Sequence, residues 1–253
     1  MGYGWRGSIG LVVATSDLTV EMDFHALKPD GVAVYAARVP LPETSEYEEK
    51  LRAYKGMAEA APAAAMLLSD ARPDIIIFCC TAGSVLNGIE SDREIIHAIE
   101  AKTGIKTITA STALVEQLKW LRITRIDLLT PFTTEFSPRV EEFLCGNVPG
   151  LQITNRRDLG IVGGLPKCMV PPSTIYAEAK QLASTSSQAL LIACTSFQVL
   201  PVREALERDL GKPILSGNTA MMWLACRYLG IGMQQAGTQA PERGSKRESA
   251  TRR

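Results

Sequence analysis

Two stretches of the chain read almost as copies of one another: PDIIIFCCTAGS, Pro73 to Ser84, and QALLIACTSFQ, Gln188 to Gln198. Each is an unbroken run of apolar, mostly branched residues that stops at Cys-Thr and a small residue. Strands that are apolar on both faces belong to parallel sheets covered by helices on either side. A parallel strand delivers its last residue to the carboxyl edge of the sheet, which is where α/β folds bind ligands. The pattern therefore predicts two such edges, with Cys80 at one and Cys194 at the other.

The rest of the chain supports this architecture. Apolar runs at Ile9–Val13, Val32–Val39, Ile75–Cys79, Lys106–Ala110, Arg125–Thr130, Leu151–Thr154, Ala189–Cys194 and Pro213–Ser216 read as strands. Between them lie segments of helical composition: about Ser45–Ala71, Glu90–Lys102, Thr112–Leu121, Ser137–Leu144, Thr174–Thr185, Val202–Asp209 and Thr219–Leu229. Pro62 is expected to kink or divide the first of these. Strand–helix alternation predicts parallel sheet with helices on both faces. The near-repeat adds two similar halves, one from residues 1–113 with 214–233 and one from 114–213. The polar, charged end from 234 to 253 is expected to be disordered.

Composition excludes several functions. Lys and Arg number 27 and Asp and Glu also 27, so no basic footprint for nucleic acid is present. No apolar run approaches the roughly 18 residues of a membrane span, and the first residues lack a signal-peptide pattern. A cytoplasmic protein without nucleic-acid or membrane partners is expected. The six cysteines show no CxxC or zinc-site spacing. The only histidines are His25 and His97, which leaves few bases for a serine triad. GIVGG, Gly160 to Gly164, lacks the spacing of a dinucleotide loop. No cofactor and no metal are expected.

A cysteine at a strand end, just before a helix, meets backbone N–H groups and the positive end of the helix dipole, both of which favour its thiolate. The same N–H groups suit a substrate carboxylate. Thr81, Ser84, Thr195 and Ser196 add hydroxyls, and Gly83 permits close approach. Cys79 lies one residue earlier, faces the other side of the strand and reads as core. Cys145, Cys168 and Cys226 read as structural. If the two halves face each other, Cys80 and Cys194 flank one cleft. One thiolate then removes a proton from one face of a carbon while the other thiol donates to the opposite face, which is racemisation or epimerisation. Alternatively one thiolate adds to an activated double bond, and rotation precedes release of the other isomer.

These residues carry a resemblance. The chain resembles the aspartate/glutamate racemase superfamily, in its maleate cis-trans isomerase and arylmalonate decarboxylase branch. The matching segments are YGWRGSIGLVV (Tyr3–Val13), ATSDLTVE (Ala14–Glu21), CTAGS, ACTSF and GKPILSGNTAMMW (Gly211–Trp223). The resemblance implies two pseudo-symmetric flavodoxin-like halves with the site between them, Cys80 and Cys194 as the reacting groups, and a small carboxylate substrate. It allows a second copy of the chain as partner, since dimers are common among similar proteins. A decarboxylase of this branch has glycine in place of the first cysteine, so Cys80 favours isomerase over decarboxylase chemistry.

Three positions depart from the maleate isomerase pattern. Asp17 stands where an Asn is expected, Phe132 where a Tyr is expected, and Gly164 where a second Asn is expected. Asp17 beside a dianion is repulsive, by about 1 kcal/mol even when screened. A ligand with a cationic nitrogen and one carboxylate fits better, and the ectoine-utilisation racemase-like group has such a loop. The plainer reading of Asp17 is a carboxylate that binds its own loop's backbone. Asn218 and Ser216, at the last strand's end, are expected either to touch ligand or to cap the next helix. The expected function is a cofactor-independent two-cysteine racemase or isomerase. Its rivals are a maleate-type isomerase with a Cys80 adduct, an arylmalonate-type decarboxylase, and an inactive small-molecule binder.

Overall fold

Eight strands form two four-stranded, all-parallel sheets, in a computed structural model that describes residues 2–232. The first sheet has the order β2-β1-β3-β4 and the second β6-β5-β7-β8. The strands of the first are β1 (Gly7–Ala14), β2 (Val32–Val39), β3 (Ile75–Phe78) and β4 (Thr107–Thr109). Those of the second are β5 (Arg125–Thr130), β6 (Gln152–Asp158), β7 (Ala189–Ile192) and β8 (Ile214–Ser216). The expected architecture of two flavodoxin-like halves is thus present. The two apolar runs are the inner strands β3 and β7, flanked on both sides, and every residue in them is buried.

The sequence places the last strand with the first half, but β8 pairs in parallel with β7, Leu190 opposite Ile214 through Ile192 opposite Ser216. The chain crosses back only after Ser216. The helix that follows, α10 (Gly217–Tyr228), packs on the first half's α1 (Val20–Leu27) and α5 (Ala110–Leu121). A sheet needs its neighbour's hydrogen bonds at every residue, whereas a helix needs only an apolar surface, so the crossing falls between the two.

One apolar cluster runs through both halves. It holds the first sheet and, from the second, Ile126, Leu128, Ala189 and Leu191. The alternate residues of the same strands, Leu129, Leu190 and Ile192, face a second cluster. This two-residue alternation assigns one face of the second sheet to a core shared with the first half. The other face is covered by α8 (Pro172–Leu182) and α9 (Leu200–Leu210).

Three helices escape the sequence pattern: α1, α3 (Thr81–Val85) and α7 (Gly164–Cys168). They are 8, 5 and 5 residues long, too short for an apolar period to repeat. The helix α2 (Tyr47–Ser69) continues through Pro62 rather than dividing there. Its buried face, with Met57, Ala61, Ala65 and Leu68, holds it against the sheet despite the lost backbone bond. Between α2 and α5 lies α4 (Ile89–Thr103), and α6 is Ser137–Asn147. No described helix is long and apolar enough to cross a membrane. The tail from 234 lies outside the described residues.

Ile77 and Leu191 are fully buried in the shared cluster, one in each sheet. Ile77→Ala and Leu191→Ala are each expected to lower stability by about 2–5 kcal/mol. Urea denaturation should show a single transition that shifts in both variants. Two transitions, each moved by only one substitution, would show that the halves unfold independently.

Candidate active site

Both strands β3 and β7 end at the same place. Cys80 and Cys194 line one narrow cavity between the two sheets. The cause is local. Backbone pairing stops after Phe78 and Ile192, so each chain turns away from its sheet and leaves the cysteine at the edge. Cys80 is the cap of α3, and its Sγ accepts a hydrogen bond from the Gly83 N–H at 3.3 Å. Cys194 Sγ accepts from the Ser196 N–H, also at 3.3 Å. The two corners touch across the halves, with Thr195 Oγ1 donating to the Cys79 carbonyl at 3.4 Å.

The pairing of N–H and sulfur does not make these thiols acidic. Burial raises the Cys80 thiol above its ordinary value; the Gly83 N–H, Lys167 and Lys50 oppose the rise without cancelling it. Burial pushes Cys194 up to about 12, against Lys167 and the Ser196 N–H. The expected low-pKa thiolate is therefore corrected. A five-residue helix offers too little dipole to offset removal of a thiolate from water.

Of the residues expected at the site, Asp17, Thr81, Phe132, Gly164, Thr195 and Ser196 line the cavity with the two cysteines. Ser84 does not. It is fully buried behind α3, where its Oγ bonds the Thr81 carbonyl and Ser111. Asn218 also stays off the cavity wall. Its Nδ2 donates to Asp23 Oδ2 at 2.8 Å and to the Thr195 carbonyl at 2.9 Å, which pins the second cysteine corner from behind. Ser216 caps α10 in a reciprocal pair with Thr219. Cys79 bonds its own strand's Ile77 carbonyl. Thr81 lines the cavity, and its Oγ1 is buried and has no hydrogen-bond partner.

Asp17 follows the plainer reading. Its Oδ1 accepts from the Thr19 and Val20 N–H groups, each at 2.8 Å, which tethers the start of α1. Its Oδ2 accepts from Ser196 Oγ at 2.7 Å. Burial raises its pKa despite these bonds and the charge of Arg38. The carboxylate thus joins the β1 loop to the second corner, and both oxygens are engaged within the protein.

Gly164 has a steric cause. A Cβ there would stand 2.5 Å from Ser16 Oγ and 2.7 Å from Glu43 Oε1. Glu43, on the loop after β2, crosses to the second half and accepts from the Gly164 and Leu165 N–H groups at 2.9 and 3.0 Å. The chain fills this space with a strap from the opposite half, at the position where an Asn side chain is expected from the resemblance.

Sequence reasoning missed several residues of the cavity wall, Ser16, Tyr54 and Lys167 among them, and Cys79, which reads as core, lines it too. Lys167 is 3% exposed, and its Nζ donates to the Tyr54 hydroxyl at 2.8 Å and the Val162 carbonyl at 3.3 Å. It stands 4.7 Å from the centroid of the Phe132 ring. Burial pulls it down to about 8. Tyr54 lies on α2, 113 residues away, and no local pattern joins the two.

Comparison with known proteins agrees with this arrangement. A family model described as arylmalonate decarboxylase matches residues 9–240. A maleate isomerase of Nocardia farcinica is 28% identical over 236 residues, 88% of this chain and 90% of its own. An arylmalonate decarboxylase of Bordetella bronchiseptica is 26% identical over 227 residues, 89% and 91% of the two chains. Among solved structures, a cysteine-to-serine variant of the Nocardia farcinica maleate cis-trans isomerase holds a covalently bound succinylcysteine intermediate. It superposes with a TM-score of 0.83 at 25% identity, over 92% of this chain and 96% of that one. A liganded variant of arylmalonate decarboxylase, with one glycine changed to cysteine and one cysteine to serine, gives 0.80 at 25% identity, over 92% and 97%. A family model that matches almost the full length, and relatives and solved structures that cover about nine-tenths of the chain, lead to one conclusion: this chain belongs to the arylmalonate decarboxylase family, in the maleate isomerase and decarboxylase branch of the aspartate/glutamate racemase superfamily.

Proposed function

We propose that this protein is a cofactor-independent isomerase of a small carboxylate, with Cys80 and Cys194 as a paired acid and base. The observation that carries the reading is the convergence of two thiols, from strand ends 114 residues apart in sequence, on one cavity. A single structural cysteine needs no such partner, and burial of two polarised thiols without use would be a cost with no return.

In the proposed reaction a thiolate takes the proton on the carbon next to the substrate carboxylate. The electron pair left behind is shared with that carboxylate. The opposing thiol then delivers its proton to the other face and becomes the thiolate. One stereocentre is inverted and the two sulfur atoms have exchanged roles. Cys80 is the easier thiolate, because one N–H and two ammonium groups oppose its burial, whereas Cys194 has one of each. Thr81 Oγ1, buried and unpartnered, is available to donate to the substrate.

A second reading has its own support. The succinylcysteine held by the related isomerase favours addition of Cys80 to a double bond, rotation, and expulsion of the thiolate as the trans product forms. The narrower reading of an ectoine-type substrate, with a cationic nitrogen facing Asp17, draws support from Asp17's place on the wall. It is weakened because that carboxylate already holds Thr19, Val20 and Ser196.

Cys80→Ser and Cys194→Ser are each expected to reduce turnover by about 10²–10⁴-fold, the usual worth of a positioned acid or base, with unchanged unfolding curves. Chiral carboxylates incubated in heavy water should gain deuterium next to the carboxylate with wild type. Full exchange by either serine variant would end the two-thiol reading. A mass increment equal to the substrate on Cys80, without exchange, would favour the addition route.

The pH profile follows from burial. The active form needs a thiolate, and burial raises both thiols, so the deprotonated fraction is small at neutral pH and grows as pH rises. The acid limb of kcat/KM is expected above about 8.5, the value of a free thiol. A plateau reached by pH 7 would show that neither buried thiol supplies the base.

A further inference from the structure

We propose that Lys167 is the carboxylate anchor of this cavity, its ammonium facing one carboxylate of a small substrate whose reacting carbon lies between Cys80 and Cys194. This rests on the reading of the cavity as a carboxylate site and names the group that selects for it. Lys167 lines the cavity and is almost wholly removed from water. An ammonium carries three N–H donors. Two of them meet the Tyr54 hydroxyl and the Val162 carbonyl, both neutral acceptors. Among the described residues no carboxylate lies within 4.0 Å of its nitrogen.

A second buried lysine strengthens the case. Lys50 is 2% exposed, and its Nζ donates to the Pro42 carbonyl at 3.2 Å. The two ammonium groups lie 5.5 and 5.6 Å from the same Tyr54 ring centroid, and neither has an ion-pair partner among the described residues. Buried charges are normally paired, because an uncompensated ion in a water-poor site is costly. Glu43 acts on both ammonium groups from beyond ion-pair distance, and its carboxylate is already bound to the Gly164 and Leu165 N–H groups; of the two cations only Lys167 lines the cavity, where an anionic occupant supplies the charge still missing. Phe132 and Gly164 offer no donor on this side of the wall. The unpartnered Thr81 hydroxyl beside Cys80 is left for the remainder of the ligand.

The arrangement selects for one carboxylate. Asp17 takes up space on the same wall as a carboxyl group, so a second anionic group has no cation to meet there. The substrate class is a small monocarboxylate with an activated carbon next to the anchored group.

The test uses alkylation and needs no turnover. Iodoacetate and iodoacetamide react with a thiolate in the same way: sulfur bonds to carbon and iodide leaves. They differ only in the carboxylate. Rates at Cys80 and Cys194 are read by peptide mass spectrometry, with Cys145, half-buried on α6 and outside the cavity, as the internal reference. Because both reagents consume the same thiolate, the iodoacetate-to-iodoacetamide ratio cancels any change in thiol acidity. In Lys167→Met that ratio is expected to fall about tenfold or more at the cavity cysteines, and to stay constant at Cys145. An unchanged ratio in the folded variant overturns the anchor. For wild type, the ratio should decline as pH rises from 7 to 9.5, because the ammonium, faced by Cys80, Cys194, Lys50 and Glu43, loses its proton in that range; a flat ratio, or an equally steep decline in Lys167→Met, where only the second thiol is left to titrate, also overturns it. Absence of deuterium exchange together with a Lys167-dependent ratio would reject the two-thiol chemistry and leave the anchor standing.

Discussion

A parallel sheet buried on both faces has one place left for chemistry, the edge where its strands end. This constraint governs the whole molecule. The inner strands β3 and β7 are apolar on both faces because helices and the shared core cover them. Their side chains can do nothing but pack. The N–H groups of Cys79 and Ala193 make the last bonds to the neighbouring strands, so Cys80 and Cys194 are the first residues released, and the candidate site begins where pairing stops. The shared core then sets the two edges against each other, and hydrogen bonds from Thr195 to the Cys79 carbonyl and from Ser196 to Asp17 keep them in register.

Burial also decides the electrostatics. At each thiol, loss of water outweighs the nearby N–H and ammonium groups, so the resting sulfur atoms are protonated. At Lys167 the same loss acts in the opposite direction and draws the ammonium toward neutrality. Each shift lowers the cost of an empty cavity.

The strands and most helices were legible because their signals are local. Ile75–Phe78 and Ala189–Ile192 announce themselves by unbroken apolar character, and Cys80 and Cys194 by their position at the ends. The short helices were not legible, since five residues cannot show a period. Ser84 was misplaced for a related reason. It shares the CTAGS motif with Cys80 and Thr81, but one turn of α3 carries it away from the cavity toward Ser111. Asn218 lies close behind the second corner and serves it through the backbone of Thr195 rather than through ligand.

What the sequence determined by itself was the class of fold and the identity of the two sulfur atoms, because alternation of strands and helices and the chemistry of a strand end depend only on neighbouring residues. What the tertiary structure decided was the charge of the site. Lys167 follows an unremarkable Gly-Gly-Leu-Pro, and Tyr54 lies in the middle of an ordinary helix. They meet only because the loop after β6 folds over α2 from the opposite half, with Glu43 strapping α7 in place. A cation's meaning depends on what surrounds it, and the surroundings of Lys167 come from segments more than 100 residues apart.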